Sequence, residues 1–244
     1  QNETLGGLTS TAGAGIVENE SGVAGTSTLT DNVASGSQTF RGIIRDGDGV
    51  GIDGTVALEK TGAGTQVLTG ANTFTGATTV SVGTLSVTHA TGLGTTAGAT
   101  TVAAGATVNV DGVTVAENMT LNGTGVGANG ALTGTGTAGV SGTVNLATTS
   151  SVGAATGGDV LTISGVISGT GTGLTKVGAG TVILSTANTY TGTTTVNAGT
   201  LELSGGAAII DTGAVVMANV SGANLKLNND ETIGKLIAEA FDKV

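Results

Sequence analysis

The stretch "LTKVGAGTVILSTANTYTGTTTVNAGTLEL", Leu174 to Leu203, has an earlier copy in the same chain. "LEKTGAGTQVLTGANTFTGATTVSVGTLSV", Leu58 to Val87, shares 18 of its 30 positions without a gap, at an offset of 116 residues. Paired substitutions keep size: Phe74 stands against Tyr190, and Val67 against Ile183. The likeness extends upstream, where "FRGIIRDGDG" from Phe40 parallels "ISGVISGTG" from Ile163. The first copy holds about seven more residues before Lys60. Repeat proteins carry such additions in loops, so Asp46-Gly47-Asp48-Gly49 is expected in a turn. The repeat units then run near 40–87 and 163–203. "NETLGGL" at Asn2 to Leu8 also parallels "DETIGKL" at Asp230 to Leu236. The whole chain, 1–244, reads as one segment cut from a longer array.

Apolar residues alternate with polar ones along these copies. Leu201 and Leu203 flank Glu202, Val144 and Leu146 flank Asn145, and Ala106, Val108 and Val110 alternate with Thr107 and Asn109. Period two means strands with one apolar face. Gly, Asn, Asp and Ser separate strand-sized runs and supply the turns. Helical spacing occurs only near the end, where Leu236, Ile237, Ala240 and Phe241 predict a short amphipathic cap over 235–244.

Composition selects among all-β folds. The chain has 46 Gly in 244 residues, no Pro, and 2% aromatics. A barrel or sandwich needs hairpin dipeptides and a bulky core. Thin strands, glycine turns and a long-range repeat fit a coil stacked on itself. The fold expected is a right-handed parallel β-helix, a β-solenoid. At roughly 20 residues per rung, about a dozen rungs would make a rod of roughly 60 Å. Disorder is excluded by a charged fraction of only 10% and by abundant Thr and Val.

Charge and residue chemistry narrow the function. The net charge is −10, with two Arg (Arg41 and Arg45) and five Lys, so nucleic acid is not an expected partner. No Cys is present, which leaves no thiol chemistry. No apolar run has the length of a membrane helix. Gln1-Asn2-Glu3-Thr4-Leu5 has neither a basic nor an apolar signal region, as expected of an internal piece.

His89 is the lone histidine, and no G-x-S-x-G elbow accompanies it. It reads as a loop residue. Asp111, Glu117, Asp159 and Asp211 read as isolated turn carboxylates, not as a paired acid and base. Asp46-Gly47-Asp48-Gly49-Val50-Gly51-Ile52-Asp53 offers three carboxylates on a glycine-rich loop but lacks the distal bidentate Glu of an EF-hand. A plain insertion turn is the expectation there. Thr73-Phe74-Thr75 and Thr189-Tyr190-Thr191 raise ice binding, but their copies are several rungs apart. Phe74 and Tyr190 read as a shared core position. No catalytic, metal or cofactor residue is assigned.

The pattern around Leu174, its sister at Leu58, and flanking stretches such as "ENMTLNGTGVGANGALTG" resemble the passenger-associated transport repeat of bacterial autotransporters. The resemblance implies a secreted β-helical passenger at the bacterial cell surface, carried across the outer membrane by a C-terminal barrel. It implies a non-enzymatic structural or spacer segment, whose partners are neighbouring solenoid repeats of the same chain. An adhesin module for a host or neighbouring cell surface is the alternative, and an ice-binding or self-assembling fibre a lesser one. For the Asp46–Asp53 loop the expected outcome is that EDTA leaves the thermal midpoint unchanged. A drop of several degrees on chelation, abolished by Asp48→Ala, would establish a Ca²⁺ site instead.

Overall fold

The computed structural model describes residues 2–10, 15–20, 24–50, 53–204, 209 and 214–228. Every strand pairing among them is parallel. Parallel neighbours cannot be joined by a tight turn, so the chain must travel around before it returns. Here it travels through other strands. An eight-stranded sheet starts at Glu3–Leu5 and ends at Ile167–Ser168. A nine-stranded sheet runs from Ser37–Phe40 to Val215–Met217, and a six-stranded one from Thr114–Val115 to Ala223–Asn228. Ile16–Val17 and Ile43–Ile44 form a separate pair. From Thr114 to Leu184 the chain visits the three large sheets in rotation, which makes a β-solenoid with three faces, and beyond Leu184 its strands alternate between the nine- and six-stranded sheets.

Coil length varies more than the sequence suggests. Thr65 stacks on Thr84 after 19 residues, whereas Thr26 stacks on Thr55 after 29. The nine-stranded sheet therefore corresponds to nine coils, not a dozen. With strands about 4.8 Å apart, its eight intervals give a rod of about 38 Å, shorter than the 60 Å expectation. Loops at the corners take up the difference. The seven-residue surplus is one of them: Asn72 reaches back to Ile44 over 28 residues, whereas Asn188 reaches back to Ile167 over 21.

The interior is filled by alternate residues. Thr55–Thr61 has Val56, Leu58 and Lys60 pointing in and Thr55, Ala57, Glu59 and Thr61 half-exposed. Columns of Leu, Val and Ile stack along the axis, as in Leu85, Val108, Leu132 and Val152. Phe74 and Tyr190 are 0% and 1% exposed, so the shared position is core. The alternation at Ala106–Val110 is less clean than expected, because Thr107 is buried as well. The cap anticipated at 235–244 and Asp211 lie outside the described residues.

The two copies do not share a face. The strands of the first, Thr55–Thr61 and Thr65–Leu68, lie in the eight- and nine-stranded sheets. Their counterparts Leu174–Val177 and Thr181–Leu184 lie in the nine- and six-stranded sheets. Stacking from Leu58 passes through Thr78, Thr100, Met119, Val144 and Ile167. The 116-residue offset thus equals five coils plus one face.

Corners are glycine where they stack. Gly83 has φ +73°, and a Cβ there would lie 2.4 Å from the Gly62 carbonyl oxygen. Gly199 repeats this with φ +62° and the same distance to Gly180. Gly105, φ +81°, faces open space. Gly105→Ala is expected to cost about 1–2 kcal/mol, the left-handed penalty alone. Gly83→Ala adds the steric clash and is expected to cost clearly more. Urea unfolding of both variants checks this, and equal costs would show that corner stacking is not tight.

Candidate functional site

What the repeat builds is an interior clamp at one corner of the coil. Lys60 is in phase with Val56 and Leu58, so the strand aims its ammonium inward, where it is 0% exposed. A buried ammonium is tolerated only if its donors are satisfied. Lys60 Nζ donates to the carbonyls of Thr61 (2.6 Å), Gly62 (2.8 Å) and, one coil on, Val82 (3.2 Å). Lys176, also 0% exposed, donates to Val177 (2.9 Å), Gly178 (2.7 Å) and Ala198 (3.0 Å). These are equivalent atoms in the two copies. Three acceptors match three N–H bonds, which only the charged form has. Burial nevertheless pushes Lys176 down to about 8. Burial also lowers Lys60, and the nearby Asp31 pulls it back up.

A second clamp lies in the segment that follows. Asn72 Oδ1 accepts from Ile44 N (2.9 Å), and Asn72 Nδ2 donates to Gly92 O (2.7 Å), so one side chain joins three coils. Thr73 N donates to Ile44 O, gripping the same residue from its other end. The second copy matches: Asn188 Oδ1 accepts from Ile167 N (2.7 Å), and Thr189 N donates to Ile167 O. The aromatic after each Thr fills the core. Tyr190 also pairs its hydroxyl with Thr194 Oγ1 at 2.6 Å, and burial pushes it up to about 12. Gln66 acts in the first copy only. Its amide exchanges bonds with Leu8 N (3.1 Å) and Leu8 O (2.9 Å), and Asp31 Oδ1 shares Leu8 N at 3.0 Å.

The residues singled out from sequence do other work. His89 Nδ1 accepts from Thr91 N at 3.2 Å within its own turn. Asp159 accepts from Thr156 N and Gly136 N, both at 2.8 Å, and these bonds hold it below its ordinary value. It ties a turn to the coil before. Asp111 ends the strand Thr107–Asp111 instead of sitting in a turn. Glu117 is no exposed turn carboxylate either: it is 3% exposed, and the buried Thr100 hydroxyl beside it only partly offsets the effect of its burial. Asp46, Asp48 and Asp53 do not converge. Asp46 accepts from Val56 N (2.8 Å) and Thr75 Oγ1 (2.6 Å), Asp48 from Val50 N, and Asp53 from Gly49 N. Arg45, beside them, is paired with Glu18. No group of three or more metal-binding side chains occurs among the described residues.

The clamps coincide with a family boundary. Residues 58–87 and 174–203 each match the passenger-associated transport repeat. The chain carries two members of the passenger-associated transport repeat family. Each transport repeat contains one lysine clamp, one asparagine clamp and one buried aromatic. The chain is also similar to the adhesin BmaC autotransporter of Brucella suis biovar 1 (strain 1330), 37% identical over 169 residues. That match covers 68% of this chain and 4% of the relative, so the chain spans a small fraction of the relative's length. No solved structure matches the chain.

The buried acids set a pH dependence. Burial raises Glu117 to about 7, and it raises Asp31 to about 6 against the pull of Lys60 and Leu8 N–H. Both bind protons more tightly folded than unfolded. Their contribution is present at acid pH and lost as pH rises from about 4 through 6 and 7. Asp159 and Glu202 shift the other way, held down by hydrogen bonds from Thr156 and Gly136 and from Lys226, so their contribution is present at neutral pH and lost at acid pH. Glu117→Gln is therefore expected to raise the thermal midpoint by several degrees at pH 8 and to leave it nearly unchanged at pH 4. An equal shift at both values would show that burial of the charge is not the cause.

Proposed function

We propose that this chain is a non-enzymatic, stiff spacer segment of a secreted surface passenger. Its transport repeats work as internal staples that lock coil to coil. The observation that carries this reading is the rotation of the second repeat by one face. A repeat selected for its outer surface gains by presenting that surface in one direction. Here the two copies point their outer residues from different faces, while their inner residues largely recur, with Gln66 against Val182 the polar exception. Leu58, Lys60, Leu68, Asn72, Thr78, Val80 and Leu85 recur inside as Leu174, Lys176, Leu184, Asn188, Thr194, Val196 and Leu201. Outward positions are mixed: Glu59 and Thr175, and Ser86 and Glu202, differ, whereas Thr65, Thr79 and Thr84 recur as Thr181, Thr195 and Thr200. The ice-binding alternative loses support on the same ground. Thr73 and Thr189 are on different faces, Thr75 gives its hydroxyl to Asp46, and Thr191 accepts from Gly171 N.

Secretion and a place at the cell surface are supported by the repeat family and by the autotransporter relative. Partners within the rod are adjoining solenoid coils. Among the described residues no helix is long and apolar enough to cross a membrane. A second reading, an adhesin module, is favoured by the similarity to that adhesin.

The spacer reading is tested by pulling the chain end to end in a force spectrometer. The expected record is a force peak at each stapled region, lowered in a Lys60→Met, Lys176→Met double variant. Extension without a resolved peak, or peaks unmoved in the double variant, would overturn it. Circular dichroism of the variant confirms that the coil itself is intact before pulling.

A further inference from the structure

One loop folds over the outside of the rod. After Met119–Leu121 the chain leaves the coil for ten residues, "NGTGVGANGA" at 122–131, and re-enters at Leu132–Thr135. The excursion folds back over the outer face of the nine-stranded sheet. Val126 N donates to Thr107 Oγ1 (2.9 Å), which in turn donates to Gly130 O (2.8 Å). This explains why an outward Thr107 is buried. Beneath the loop, residue 153 is glycine, because a Cβ there would lie 2.3 Å from the Asn129 carbonyl oxygen. Ala128 has φ +59°, the left-handed region, and no other non-glycine among the described residues adopts it. That conformation costs about 1–2 kcal/mol and persists only where the surroundings enforce it.

Between the loop and the sheet lies a groove of about 390 Å³. Its size is within the range of small-ligand sites. Its floor is a row of hydroxyls and amides along the axis. Asn109 Nδ2 donates to Ser86 Oγ (3.1 Å), and Asn109 Oδ1 accepts from the hydroxyls of Thr133 (2.9 Å) and Thr135 (3.1 Å). Thr84 continues the floor, and Asn129, exposed, stands at the rim. None of the lining residues is charged, in a chain of net charge −10.

The lining chooses the occupant by elimination. A phosphate, sulfate or carboxylate would find no cation. A cationic ligand would find no carboxylate here and many elsewhere on the chain. A peptide strand would find no free edge, since Thr84–Val87 and Thr107–Asp111 are each paired on both sides. An apolar ligand would match Val67, Val126, Ala155 and the threonine methyls, but it would cut off from water the hydroxyls and amides of Thr84, Ser86, Asn109 and Thr133 without replacing those bonds. What remains is a neutral molecule dense in hydroxyls. Hydroxyls and amides both donate and accept, so each paired group on the floor keeps capacity for such a ligand. Polar groups recur from coil to coil at about 4.8 Å, which suits an extended chain of similar units.

We propose that this groove binds an uncharged glycan, laid along the solenoid axis over Thr84, Ser86, Asn109 and Thr133 and closed at the rim by Asn129. The proposal goes beyond the spacer reading and does not rest on it, since a stapled rod can carry a groove on one face.

The test presents the whole 244-residue chain to an array of neutral, sialylated and sulfated oligosaccharides, then titrates any hit by calorimetry. Binding to neutral oligosaccharides is expected. Thr84→Trp, which fills the floor, and Asn129→Ala, which empties the rim, should each weaken it by about tenfold or more. Thr101→Trp, an exposed position on the eight-stranded face, should leave it unchanged. The result that overturns the proposal is no neutral binding, binding only to charged glycans, or neutral binding unmoved by both groove variants. Thermal melts accompany every variant. If Thr84→Trp fails to fold, Asn129→Ala decides alone, because that side chain makes no hydrogen bond to the described residues.

Discussion

A coil that stacks on itself must turn each corner above the one before. At a corner the strand's hydrogen bonding is interrupted and carbonyls point where no ladder partner waits. Left unpaired in the interior, each would cost about 1–3 kcal/mol. The lysine of each transport repeat answers this by filling the corner with an ammonium that takes two carbonyls from its own turn and one from the next coil. Glycine at Gly83 and Gly199 lets those turns approach closely enough for one Nζ to reach all three. The Val, Leu and Ile columns then continue through the corner undisturbed.

A buried cation is costly where it is alone and useful where its geometry is fixed. Breaking such a group by removing partners is strongly unfavourable, so a charge with three fixed acceptors disfavours slippage by one residue as well as unfolding. Register is the weak point of repetitive strands, since Thr-Thr-Val and Gly-Thr-Leu recur with little to tell them apart. A slip of one residue would turn Lys60 and Lys176 outward and leave the corner carbonyls bare. The asparagine clamps add a second check by gripping the N–H and C=O of one isoleucine in the coil before. Two staples, five coils and one face apart, thus fix the register of a long uniform rod without repeating on every rung.

Much of this could be read from residues. The 116-residue echo, period-two alternation and glycine punctuation identified parallel coils, and matched spacing identified Phe74 and Tyr190 as core. The inward lysines were legible too, because Lys60 keeps the phase of Val56 and Leu58, and Lys176 that of Leu174. A lysine in the middle of a strand is ordinarily a solvated residue, and that habit obscured the phase. Glu117 escaped for a different reason. It sits between strands, where period two no longer tells inside from outside, so only the coil packed around it made it an interior acid.

By itself the sequence determined the class of fold, the pairing of the two copies and the place of the seven-residue insertion, because these depend on local pattern and on likeness between two stretches of one chain. It could not determine how many residues each coil consumes. Coil length depends on how far each loop swings out before the next strand finds its partner, and this varies from 19 to 29 residues. That sum decides on which face any residue emerges. The rotation between the two repeats, the burial of Thr107 under the 122–131 loop and the groove beside it all follow from the accumulated path. They belong to tertiary structure because stacking compares residues that are a coil apart, and no local pattern records that distance.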